Sequence, residues 1–365
     1  MLGIGSLWNF IKRHKRKFIF GGILAGGGTY FYRYLQEKVK EIQEKEASEC
    51  LAHARKQHHF DSNQRTCNMT VLSMISTLRE ALIRTFNTEE ITEQLKNNPE
   101  NKLQLWEDLK IMSFARTVSI VYSCSIMALL LRVQLNVIGG YMFIDSMHQQ
   151  NGKTEKILIS KELQQNIYQI FSIFSAQVRL TELTETVQHV VRKEILSISL
   201  KERLTIDNLQ AIIQQIRERI ETSPDISDLS PTFILCKYMV PCIQISQQEE
   251  DAMYTRLHTE TKDIIESADF HSVLKLCLDR GFAKLLDSLA DHYKHMLEDQ
   301  HRQNFHEVAL PMAKLIPIVS GLLYKLCSDA PNPLIQEILL LEPTKTFAAN
   351  IYEAFSEQQT EQLAI

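Results

Sequence analysis

The chain has 365 residues, 44% of them hydrophobic and 23% charged, with a formal net charge of -4. That is ordinary globular usage, which excludes wholesale disorder, and the slight acidity leaves no electrostatic case for nucleic-acid binding. At about 150 residues per domain, length alone allows two or three domains.

Glycine and proline divide the chain more sharply than length does. Seven of the twelve glycines fall in the first 28 residues. From Thr29 to Ile138 there is no glycine and the only proline is Pro99, and from Lys153 to Ser223 there is neither. Sheet proteins need turn residues every 8–12 positions or so, so the pattern predicts an all-α fold of long helices. The seven cysteines are odd in number and never spaced C-x-x-C. That argues against a secreted disulfide scaffold and for reduced thiols facing the cytosol. Asn68-Met69-Thr70 is a glycosylation sequon, but it lies inside a predicted helix.

In chain order, the first feature is basic. Lys12, Arg13, His14, Lys15, Arg16 and Lys17 precede an uncharged run of 15 residues from Phe18 to Tyr32. As a helix the run reaches about 22 Å, short of a bilayer core of about 30 Å, with Lys17 and Arg33 able to snorkel. Phe18, Ile19, Phe20, Ile23 and Leu24 supply apolar surface, and Tyr30, Phe31 and Tyr32 suit a membrane interface. Three readings stand: a cleaved secretory signal, a glycine-rich segment packed on the body, and a retained short membrane anchor. The sequence beyond the run has no convincing A-x-A cleavage site, which favours the anchor. The basic flank would place the N-terminus in the cytosol, in conflict with a cytosolic body reached by one crossing, so charge leaves orientation open.

Residues 34–60 alternate acids and bases around Leu35, Val39 and Ile42, as in an exposed stalk helix ending near His58-His59. A helical stripe follows through Val71, Ile75, Leu78, Leu82 and Phe86. Asn87 or Thr88 caps a short helix carrying Ile91 and Leu95, and Asn97-Asn98-Pro99 stops it. The next helix begins near Asn101 with Leu103, Trp106, Leu109 and Ile111 or Met112. It leads into a second uncharged run, Thr117–Leu131, which Arg132 interrupts before the apolar pattern resumes to Ile144. This run could be a second membrane span or a helix buried on all sides. Arg132 costs about 2.5–3.5 kcal/mol at a span's centre, which weighs toward burial. Gly139-Gly140 either ends that helix or lets another backbone come close. Further amphipathic segments are expected at 160–181, 183–200, 205–221, 252–268, 270–298, 308–328 and 334–357, with 222–251 as a proline-bearing connection.

No catalytic constellation emerges. There is no phosphate-binding glycine loop and no G-x-S-x-G elbow, and His306-Glu307 lacks a second histidine because position 310 is Leu. Asp291 with His292, His295, His301 and His306 is the best metal candidate, but its stretch is otherwise charged and reads as a solvated face. Cys236 and Cys242 have no histidine near them in sequence. Trp106 reads either as core or as an interface anchor, an apolar side chain ringed by lysine and acid.

Several long stretches resemble the peroxin-3 family of peroxisomal biogenesis factors in its vertebrate form. They are SLWNFIKRHKRKFIF, FDSNQRTCNMTVLSM, NKLQLWEDLKIMSFAR, LLLRVQLNVIGGYMFID, LCLDRGFAKLLD, ALPMAKLIPIV and FAANIYEAFS, which together span Ser6 to Ser356. The resemblance is weakest around 146–165, 222–260 and 296–307.

It implies a large elongated helical bundle, residues 34–365, facing the cytosol from the peroxisomal membrane. Residues 1–33 would be the anchor and targeting segment. The implied partner is peroxin-19, the soluble receptor that carries new peroxisomal membrane proteins, whose N-terminal amphipathic helix fills an apolar groove. The groove positions fall on Leu95, Lys102, Trp106 and Leu109, with a distant lysine at Lys314. No cofactor, small-molecule substrate, nucleic acid or catalytic residue is implied, and membrane lipids are the other expected contact. The alternatives from the residues alone are a membrane-anchored helical enzyme using the histidine group, or a tether binding lipid through Lys12 to Lys17.

Overall fold

The computed structural model describes residues 15–97, 99–150, 159, 179–222, 233–239, 249–300, 305–329 and 331–357. Within these, the side chains of 15–29, 31, 150, 233, 234, 249–252, 254, 296–300 and 305 lie outside the description. The elements are α1 (Lys15–Thr85), α2 (Thr88–Lys96), α3 (Lys102–Gln150), α4 (Arg179–Ile195), β1 (Arg203–Leu204), α5 (Ile206–Glu221), α6 (Phe233–Cys236) and α7 (Glu249–Ile265). They continue with α8 (Ala268–Gln300), β2 (Leu310–Pro311), α9 (Met312–Leu326), α10 (Pro333–Leu340) and α11 (Glu342–Glu357). The fold is all-α; among the described residues, strand is confined to the short antiparallel pairing of β1 with β2.

Packing divides the chain into Met1–His59 and Phe60–Ile365. In the first unit the helical residues from Tyr32 to Arg55 are exposed. Their charges pair along the helix surface, Lys38 with Glu41 at 2.6 Å and Lys40 with Glu44 at 3.6 Å. No break occurs near His58-His59, because no glycine or proline stands there to stop the helix.

The second unit is built around α3. An amphipathic helix buries one stripe, but a helix apolar all round must be enclosed. α3 meets this demand by contacting α2, α4, α7, α8, α9, α10 and α11. Ile120, Val121, Tyr122, Cys124, Leu129 and Val133 are wholly buried there, and each large aliphatic side chain so placed contributes roughly 1.5–3 kcal/mol. Thr117–Ile144 is therefore the central core helix, the burial alternative of the two. From α1, Cys67, Val71, Ile75, Leu78 and Leu82 face the same core, as their spacing predicts.

Gly139 and Gly140 do not end α3. A Cβ on Gly139 would stand 2.6 Å from the Asn63 side chain, and one on Gly140 would stand 2.8 Å from the Phe355 backbone. The glycines let α1 and α11 approach, which is the second of the two roles expected of them. Near the C-terminus, 334–357 is two helices, not one. Leu341 turns out of helical geometry, and Pro343 sits in the first turn of α11, where its missing N–H leaves no bond unmade. Segment 160–178 lies outside the described residues, and α4 begins earlier than expected, at Arg179.

A candidate docking face at the start of the core helix

The face begins with α2. The Asn87 side-chain oxygen accepts from the Glu90 backbone amide at 3.2 Å, and its side-chain nitrogen donates to the Glu90 carboxylate at 2.6 Å. Asn87, of the two residues proposed, is thus the cap. Ile91 and Leu95, one turn apart, seat α2 against the core while remaining partly open. Asn97 caps the other end through its backbone N–H, which donates to the carbonyls of Gln94 and Leu95. The chain then passes Pro99 and re-enters helix at Lys102.

The first turns of α3 carry the remaining candidates. Lys102 is exposed, Leu103 is 70% exposed, and Trp106 is half-buried against the core. Leu109 is only 5% exposed, so it forms part of the floor beneath this face, not its surface. Leu95, Trp106 and Leu109 are thereby collected on two neighbouring helices. Lys314, on the first turn of α9, is also exposed.

A chain of hydrogen bonds links α3 and α9. Lys110, fully buried, donates to the Ile198 carbonyl at 2.7 Å and stands 2.6 Å from a Glu107 carboxylate oxygen. That fastens the 196–202 turn to α3. The same turn accepts the otherwise orphaned first amides of α9, Met312 N–H to Glu202 at 2.8 Å and Ala313 N–H to Leu200 at 3.0 Å. Lys314 follows directly, so its position is referred to α3 through two bonded steps.

One turn and a half further along α3, Arg116 is a second buried anchor. It donates to both Glu89 oxygens at 2.8 and 3.0 Å, and to the Ser320 carbonyl and hydroxyl at 3.0 and 2.7 Å. Burial pushes the Glu89 carboxyl up, but the hydrogen bonds and charge of Arg116 outweigh it and hold the group below its ordinary 4.5. Thr117 adds a bond to the Val319 carbonyl at 2.9 Å. These contacts fix α2 and α9 against α3. Sequence reading passed over Lys110 and Arg116, because nothing local distinguishes a buried cation from a solvated one.

The other candidates resolve differently. Asp291 pairs with Lys325 at 3.1 Å, and His306 with Asp207 at 3.0 Å. Among the described residues no three His, Cys, Asp or Glu side chains are grouped as for a metal. Cys236 finds a histidine at long range: His271 Nδ1, 35 positions away, lies 3.7 Å from its sulfur. Burial, and secondarily the Glu266 charge, pushes that thiol up to about 12, so it remains a protonated core group and not a nucleophile. Lys12 and Arg13 lie outside the described residues, as do the side chains of Lys15, Arg16, Lys17, Phe18, Ile19, Phe20, Ile23, Leu24 and Phe31, while Tyr30 and Tyr32 are exposed.

Fold and face together define a helical scaffold with an apolar, lysine-fringed surface at one end of its central helix. The peroxin-3 family model matches residues 9–101, 96–176 and 180–354, and the chain belongs to that family. It is 44% identical over 369 residues to the human peroxisomal biogenesis factor 3, covering 97% of this chain and 98% of that one. The Cricetulus longicaudatus relative of the same name is 44% identical over 373 residues, with the same coverage. Peroxisome biogenesis protein 3-1 of Arabidopsis thaliana is 24% identical over 375 residues, covering 96% and 98%. The chain therefore has a role in peroxisome biogenesis, and the family is one of biogenesis factors, not enzymes.

Proposed function

We propose that this protein is a docking receptor for peroxin-19 at the peroxisomal membrane, receiving that carrier with its load of membrane proteins so that they can insert. The observation that carries the reading is Trp106: a large aromatic side chain left half-open beside the exposed Leu103, at the start of a helix whose middle is committed to the core. Half-open aromatics on a rigid support are what binding hot spots require, since little entropy is lost when a partner covers them. Leu95 and Leu103 extend the apolar surface, and Leu109 holds it from beneath. Lys102 and Lys314 stand at the rim, where they pair with acidic groups on the incoming amphipathic helix and mainly speed and orient its arrival.

In this reading residues 1–33 are the anchor and address, and 34–365 face the cytosol. Protease added to intact peroxisomes then digests the body and spares the anchor. The docking claim is tested by titrating the peroxin-19 N-terminal peptide against the full chain. Trp106→Ala weakens binding by about 2 kcal/mol or more, roughly thirtyfold, with the helical circular dichroism unchanged. Loss of helical signal in proportion to binding would make Trp106 a core residue and remove the groove.

A further inference from the structure

α3 is long and apolar enough to cross a membrane, and every residue of its apolar window is buried within the protein. In its middle stands Arg132, 2% exposed. Its guanidinium donates to the Asn68 side-chain oxygen, and its Nε has no hydrogen-bond partner. Among the described residues, none of its interactions involves a carboxylate. The ionisable groups that act on its charge are the thiols of Cys67 and Cys277, which burial pushes up to about 12 and about 11, so neither supplies a counter-charge. Burial likewise pulls the Arg132 pKa down.

The same level of the helix holds more polar groups. Asn136 donates to the Arg132 carbonyl at 2.6 Å and accepts from Asn63 at 3.1 Å and Gln64 at 2.6 Å. Gln134 is buried with its side-chain oxygen unpartnered. A buried charge without an opposite charge is a liability to the fold, and an apolar residue of similar volume would usually serve stability as well or better. The folded state therefore does not explain Arg132.

The unfolded chain does. Without Arg132, Thr117 to Ile144 would be one uncharged run of 28 residues. As a helix that spans about 42 Å, ample for a bilayer core of about 30 Å. We propose that Arg132 is a membrane-exclusion residue: its charge stands in the middle of this 28-residue run, where insertion is most costly, so that the helix folds into the core instead of entering a bilayer. The distinction matters for a peroxisome biogenesis factor, whose newly made chain has a second apolar run besides Phe18–Tyr32 and is exposed to membranes before it folds. The insertion scale puts the effect of Arg132→Leu at roughly two to three orders of magnitude in the insertion equilibrium.

The test is translation of the full chain with endoplasmic-reticulum microsomes, using two glycosylation acceptors that flank α3. The natural sequon at Asn68 is one, and a second is introduced in 151–158. Insertion of α3 modifies one acceptor and not the other. The expected result is that Arg132→Leu gives this single modification, while wild type and Arg132→Lys do not. Gly139→Val serves as the folding control, since its added carbon collides with Asn63 and disturbs the same seam while leaving the charge in place. It should remain uninserted. An Arg132→Leu chain with neither acceptor modified overturns the proposal. So does insertion of Gly139→Val or Arg132→Lys to the same extent, because misfolding and not charge would then be the cause.

Discussion

Two long helical stretches of this chain reach opposite outcomes. The 32–55 stretch of α1 is exposed throughout and laces its surface with lysine–glutamate pairs, whereas the middle of α3 is enclosed by other helices. Both are nearly free of glycine and proline, so helix formation is equally assured by local propensity. What separates them is the angular spread of their apolar residues. Leu35, Val39 and Ile42 make a narrow stripe, while 117–131 is apolar on every side. Stability should follow the same division.

Core truncation gives the largest effect. Phe86 is wholly buried at the junction of α1 and α2, and Phe86→Ala should cost about 3–5 kcal/mol in denaturant unfolding. Overpacking comes next. Gly140→Val would drive a side chain into the Phe355 backbone, lowering stability by about 1–3 kcal/mol and loosening α11, detectable as faster hydrogen exchange over 347–356. The Glu89–Arg116 pair has a smaller effect that depends on pH. Because the folded carboxyl titrates below its ordinary 4.5, its contribution is present above that pH and is lost as pH falls through the depressed value. The stability gap between wild type and Glu89→Gln should close on acidification below 4.5. The smallest effect belongs to the stalk, where Leu51→Ala, an exposed site, should change stability by no more than about 0.5 kcal/mol. A core-sized loss at Leu51 would break the comparison, since it would mean that a partner surface covers that helix.

Much of this was legible beforehand because it is local. α5 falls on 206–221 where 205–221 was expected, and the Asn87 cap and the α1 stripe follow from neighbours in sequence. What stayed hidden depends on distant partners. Lys110 is stabilised by a carbonyl 88 positions away and Arg116 by groups up to 204 away. The Cys236–His271 contact is of the same kind. The break at Leu341 was missed because 334–357 keeps an apolar rhythm across it, although Pro343 signalled a new first turn. At the candidate docking face, sequence alone could not tell surface from floor. Leu103 and Leu109 look alike in the sequence, yet one is mostly exposed and the other buried.

The docking claim rests on Trp106, and its own fluorescence tests it most directly. The chain has two tryptophans, so Trp8→Phe leaves Trp106 as the sole reporter. Adding a tryptophan-free peroxin-19 N-terminal peptide should shift its emission to the blue and shield it from acrylamide quenching, saturating with the binding isotherm. A peptide that binds while Trp106 emission and quenching stay unchanged would place the partner elsewhere on the molecule and contradict the account.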